Sequence, residues 1–179
     1  MRITIATRLT LLRIFFVIPF MIFSIITKTD TSLAAFIIFI AASVTDFLDG
    51  RAARSMNEVT TLGKFFDQMA DKILVDAAFL VFLQLGYVQS WFVITVIARD
   101  SAISGLRMIA ASKGKVIAAS WWGKFKTTFQ MVFIIFVLFY RITPVFGWTL
   151  NVVLMWVALV MTIISGIEYF VKNWEALKD

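Results

Sequence analysis

Cysteine and histidine are both absent from the sequence. Their absence removes thiol chemistry, disulfides, imidazole general bases and zinc held by nitrogen or sulfur. A protein-held metal would have to sit on oxygen, which favours magnesium, manganese or calcium. Charge is scarce as well: 16% of the 179 residues are charged against 61% hydrophobic, a balance outside the range of water-soluble domains. No internal repeat, low-complexity tract or linker divides the chain, so 1–179 reads as one domain.

What is abundant is apolar helix. A hydrocarbon core needs about 20 apolar residues of helix, and six such runs can be laid along the chain after a short amphipathic lead-in, residues 1–8. The predicted spans are 9–27, 33–49, 63–85, 91–111, 127–140 and 149–170, with basic residues 112–126 read as the connection before the fifth. The first run superficially resembles a secretory signal, but no small-residue cleavage site follows it, so a retained helix is expected. The fold class is therefore all-α, a polytopic membrane bundle. Of seventeen lysines and arginines, only Lys28 and Arg141 fall on the even side of that topology. The asymmetry predicts both termini in the cytoplasm. The net charge of +6 then reflects topology and anionic lipid or phosphate ligands; no nucleic-acid motif accompanies it.

Acidic residues break the apolar runs at one place. Asp46 and Asp49 lie at the cytoplasmic end of the second span, Asp67 and Asp71 at the start of the third. Helical spacing separates each pair by only about 60° or 40° around its axis and by roughly 4.5–6 Å along it, so each pair shares a helix face. A short connection makes the two helices antiparallel neighbours, and four carboxylates can then converge just inside the membrane surface. Held there without compensation they would repel one another; two divalent cations would supply it. The plain alternative is a set of interfacial aspartates paired with Arg51, Arg54, Lys64 or Lys72. Asp76 lies deeper and off that face, where it either pairs locally or lines a polar cavity.

Asp46, Asp49, Gly50, Ala53, Arg54, Gly63, Asp67 and Asp71 together match every fixed position of the motif D-x2-D-G-x2-A-R-x8-G-x3-D-x3-D. In this the chain resembles the CDP-alcohol phosphotransferase family. The resemblance implies a six-helix enzyme, dimeric as a rule, that displaces CMP from a CDP-linked lipid at a binuclear metal site. It assigns Asp46, Asp49, Asp67 and Asp71 to two Mg2+ or Mn2+ ions, and Asp71 also to the proton of the attacking hydroxyl. The residue types agree: carboxylates are hard ligands, and a carboxylate within reach of a nucleophile can act as general base. Gly50 and Gly63 leave room for a nucleotide beside the backbone, and Arg54 offers a planar fork to phosphate. Either glycine alone could equally mark a helix end or a packing site. Ala53 and Thr7 complete the nucleotide-binding candidates.

A second basic region surrounds the fourth and fifth spans. Arg99 lies inside a predicted span, where a cation without an anion is costly; an acceptor alcohol bearing phosphate would provide one. Arg99, Arg107, Lys124 and Lys126 are the candidates for holding it, although a positive-inside loop touching anionic headgroups would also explain Lys113 and Lys115. Arg99-Asp100, the run Ser104–Arg107, Gly123–Thr127, Thr10, Arg13 and the run Ser165–Phe170 resemble the bacterial branch of the family that uses glycerol 3-phosphate. That likeness implies CDP-diacylglycerol as donor and sn-glycerol 3-phosphate as acceptor, at the bacterial cytoplasmic membrane. Three positions depart from its pattern: Thr7 replaces asparagine, Asp100 replaces glutamate and Gln68 replaces proline, none of them a metal ligand. Rival readings are a sister transferase that uses inositol phosphate or makes cardiolipin, a divalent-cation transporter, and a non-catalytic scaffold. A transport path would place carboxylates near the midplane and on both sides, unlike these four.

Overall fold

A computed structural model describes the backbone of residues 5–26, 29–56, 61–113, 117, 120–144 and 147–174, and the side chains of 14–26, 32–45, 72–113, 117, 120–144 and 147–174. The described residues form six helices: α1 (Ile5–Ile25), α2 (Thr29–Met56), α3 (Thr61–Gln84), α4 (Ser90–Ser112), α5 (Trp121–Ile142) and α6 (Trp148–Asn173). The all-helical expectation and the number of helices are met. The boundaries differ in informative ways. α2 runs on to Met56 because Arg-Ala-Ala-Arg is favourable helix sequence even where it is polar. α5 begins at Trp121 and not near residue 127, so Lys124 and Lys126 stand on a helix and not in a connecting loop. Ser120 explains that start: its Oγ accepts a hydrogen bond from the Gly123 amide at 3.0 Å, satisfying one of the amides that a helix N-terminus leaves open.

Two compact units divide the chain, one comprising Met1–Leu85 with Ile134–Val145, the other Gly86–Phe133 with Phe146–Asp179. In the first, α1 packs against both α2 and α3. Its core is built from stripes at helical spacing: Val17 and Phe20 of α1, Ala35, Phe39 and Ala42 of α2, and Leu74, Ala78 and Phe82 of α3 are buried. The rings of Phe20 and Phe39 lie 5.6 Å apart. Arg141, in the last turn of α5, donates from Nη2 to the Ser24 carbonyl at 2.7 Å, capping the C-terminal turn of α1 with a cation.

The second unit is organised by α4 against α6, with Phe92 and Phe133 in edge contact at 5.8 Å. A buried pair, Gln130 Nε2 donating to Thr162 Oγ1 at 3.1 Å, joins α5 to α6. Gly86, at φ +76°, takes the left-handed conformation needed to turn from α3 towards α4.

Large apolar side chains are also exposed on the outer faces, among them Phe15, Ile18, Ile37, Leu80, Ile94, Trp156 and Ile167. Helices apolar on both their packed and their outer faces suit a lipid surround. Among the described residues, α5 and α6 are each long and apolar enough to cross a membrane, and Ile14–Ile25 and Ser32–Thr45 form shorter apolar stretches in α1 and α2.

Candidate active site

The aspartate pairs stand on unbroken helix. Positions 46 and 49 lie in α2, positions 67 and 71 in α3, joined only by residues 57–60, and both helices belong to the first unit. The three- and four-residue spacings therefore keep their helical meaning, with each pair on one face. The side chains of Asp46, Asp49, Asp67 and Asp71 lie outside the described residues, as do those of Thr7, Gly50, Ala53, Arg54 and Gly63. The donor set, four carboxylates in a chain without histidine or cysteine, fits hard divalent cations. Among the described residues no group of three or more acidic side chains gathers.

Of the basic region, Arg99, Arg107, Lys113, Lys124 and Lys126 are described in side-chain detail, and Lys115 lies outside the described residues. Asp100, 7% exposed on α4, stands between two cations: Arg99 Nη1 donates to its Oδ1 at 2.8 Å and Lys126 Nζ to its Oδ2 at 2.6 Å. Neighbours in a helix do not face each other; the long arginine stem reaches its partner by lying across α6 at Gly166, where a Cβ would sit 3.2 Å from Arg99 Cγ. Arg99 Nη2 then donates to Ser165 Oγ at 2.9 Å. The anion expected for Arg99 is thus supplied inside the protein, and Lys126, 4% exposed, shares it. Arg99 also lines an open groove of about 440 Å³ between α4 and α6, whose other walls include Ile163, Ile167 and Phe170, a surface suited to hydrocarbon.

Arg107 is placed differently. It is half-buried, and its Nε donates to the Tyr169 hydroxyl at 2.7 Å. Lys124 is exposed, with Nζ 4.7 Å from the centre of the Trp121 ring, a cation–π contact at the start of α5. The structure thus brings Arg99 and Lys126 together on Asp100, and leaves Arg107 and Lys124 with aromatic partners. Asp100, which the sequence marked as an aspartate in place of glutamate, holds Arg99 and Lys126. Tyr169, Ser165 and Gly166 had no individual role. Their signal was the small-residue pair Ser165-Gly166 four and three positions before a tyrosine, on a helix that must pass a buried arginine.

The model of the CDP-alcohol phosphatidyltransferase family matches residues 3–164. The chain belongs to that family. This makes it a transferase of phospholipid synthesis, in a family generally dependent on divalent metal. Among curated relatives, a Bacillus subtilis CDP-diacylglycerol–glycerol-3-phosphate 3-phosphatidyltransferase is 44% identical over 147 residues, covering 82% of this chain and 76% of its own. An Escherichia coli protein of the same name is 37% identical over 175 residues and 94% of each chain. A third, from Mycoplasma genitalium, is 32% identical over 97% of this chain and 85% of its own. Bacterial relatives and apolar helices together mark this phosphatidyltransferase as a membrane protein.

Proposed function

We propose that the chain transfers the phosphatidyl group of CDP-diacylglycerol to sn-glycerol 3-phosphate, giving phosphatidylglycerophosphate and CMP. The observation that carries this reading is the 44% identity, over most of both chains, to a relative named for that reaction. The unbroken aspartate motif on two continuous helices and the basic second unit support it.

In this reading Asp46, Asp49, Asp67 and Asp71 would hold two Mg2+ or Mn2+ ions, whose positive charge would offset the negative charge of the pyrophosphate and the departing nucleotide. Asp71 takes the proton of the acceptor hydroxyl. The hydroxyl oxygen bonds to the phosphorus that carries diacylglycerol, and the bond from that phosphorus to the CMP oxygen breaks, its electron pair leaving with CMP. Arg54, with Thr7, Gly50, Ala53 and Gly63, binds the nucleotide. Arg107 and Lys124 meet the acceptor phosphate, while Asp100 fixes Arg99 and Lys126 beside it. All six helices span the bacterial cytoplasmic membrane, with both termini and the chemistry on the cytoplasmic side, and the enzyme works as a homodimer among its lipids.

The test is release of CMP by the purified enzyme from labelled CDP-diacylglycerol with magnesium or manganese, across a panel of alcohols. Glycerol 3-phosphate is expected to be productive, with glycerol, inositol phosphate and phosphatidylglycerol far behind. Release with none of them would refute the enzymatic reading, and preference for another acceptor would refute the substrate.

A further inference from the structure

Tyr169 carries a hydroxyl that packing does not require. It is 2% exposed and its ring fills a cluster with Ile103 and Leu106, where phenylalanine would fill the same space. A phenol oxygen in such surroundings needs a polar partner, and the one it has is Arg107 Nε, donating at 2.7 Å. The guanidinium carbon lies 5.4 Å from the ring centre. The bond reaches from α6 back to α4, across 62 positions of sequence.

The identity of the bonded nitrogen matters. An arginine has five N–H groups in a rigid fork. With Nε occupied, Nη1 and Nη2 remain, the end-on pair that can grip two oxygens of one phosphate. Among the described residues neither is given a hydrogen-bond acceptor. In Arg99 the pattern is reversed: Nη1 is spent on Asp100, Nη2 on Ser165, and Nε is buried without an acceptor. Of the two arginines on α4, only Arg107 presents a two-pronged donor.

We infer that Tyr169 is a positioning residue for acceptor binding: its hydroxyl holds Arg107 Nε so that Nη1 and Nη2 are presented together to the phosphate of the acceptor. This rests on the glycerol 3-phosphate reading above. Tyr169 touches no reacting atom. Its contribution is to restrict a long, flexible side chain before the ligand arrives, which lowers the ordering cost of binding. The effect belongs to acceptor affinity and not to turnover.

The experiment is a double-substitution cycle in the full-length enzyme, with CMP release followed while each substrate is varied in turn. Tyr169→Phe keeps the ring and removes only the hydroxyl. The KM for glycerol 3-phosphate is expected to rise up to about tenfold, as for ordering one long side chain on binding, with kcat and the KM for CDP-diacylglycerol unchanged and the Tm lowered only by loss of the hydrogen bond itself. Arg107→Lys, which keeps the charge but loses the fork, should raise the same KM, and adding Tyr169→Phe to it should change nothing more. An unchanged acceptor KM in Tyr169→Phe, equal rises for both substrates, or the same factor in the Arg107→Lys background would each overturn the inference while leaving the function intact. If the unsubstituted enzyme does not use glycerol 3-phosphate at all, the functional reading and the inference fall together.

Discussion

Replacing Asp100 by asparagine tests the charge cluster most directly. The substitution preserves shape and removes one negative charge facing two cations, Lys126 at 2.6 Å and Arg99 at 2.8 Å. Breaking a buried ion pair from one side costs about 3–5 kcal/mol, because the partner is left charged and out of water. Lys126 should bear most of that, since its side chain is 5% exposed, whereas Arg99 at 14% exposure keeps its bond to Ser165. For a chain of this size about 3–5 kcal/mol corresponds to a fall in Tm of roughly 10 °C. Thermal unfolding in one detergent can be followed by the fluorescence of the six tryptophans. A second variant isolates the cause. Lys126→Met combined with Asp100→Asn removes the ammonium that has lost this carboxylate while keeping its stem, and should recover part of the lost stability. A single variant that melts with the unsubstituted protein, or a double variant no more stable than Asp100→Asn alone, would refute the assignment of Asp100 as the shared buried counter-ion.

Three further outcomes are expected. Asp71→Asn should lower CMP release by about 10²–10⁴-fold without lowering Tm, and chelation should silence the unsubstituted enzyme until magnesium or manganese is restored; activity retained under either condition would remove the aspartates from the chemistry. Gly166→Val should lower the Tm more than Gly105→Val, since a Cβ at 166 meets Arg99 Cγ at 3.2 Å and one at 105 meets nothing within 4 Å. The change in helix propensity from glycine to valine is common to both, so the difference between them, about 1–3 kcal/mol, reports the arginine stem crossing α6, and equal changes would show that it does not cross there.

The aspartate motif was legible because its eight fixed positions stand unbroken at their spacing, and the family they imply is the one the chain belongs to. The helices were legible for a related reason: runs of apolar residues long enough to span lipid are rarely anything else. The start of α5 was not. Lys124 and Lys126 look like loop residues in a hydropathy reading, yet one rests over Trp121 and the other is neutralised by Asp100, twenty-six positions away. Ser120, whose hydroxyl accepts from the Gly123 amide, lies inside the stretch that hydropathy assigns to the connection, so the helix start it marks passed unread. Tyr169 was hidden more completely. An aromatic on a membrane helix is by default packing, and only the distance to Arg107 shows that its oxygen has a partner. Pairings between distant helices are the part that composition and spacing cannot reveal.

The bond from Arg141 to the Ser24 carbonyl bears on biosynthesis, since its two ends are 117 positions apart. A nascent chain emerges from its N-terminus onward, so the last turn of the first helix waits through translation of most of the polypeptide before its guanidinium arrives. Until then that carbonyl must be served by water or by a substitute. Ribosome-bound intermediates that lack the end of α5 hence carry an unfinished helix terminus, which makes completion of α5 the event that seals α1.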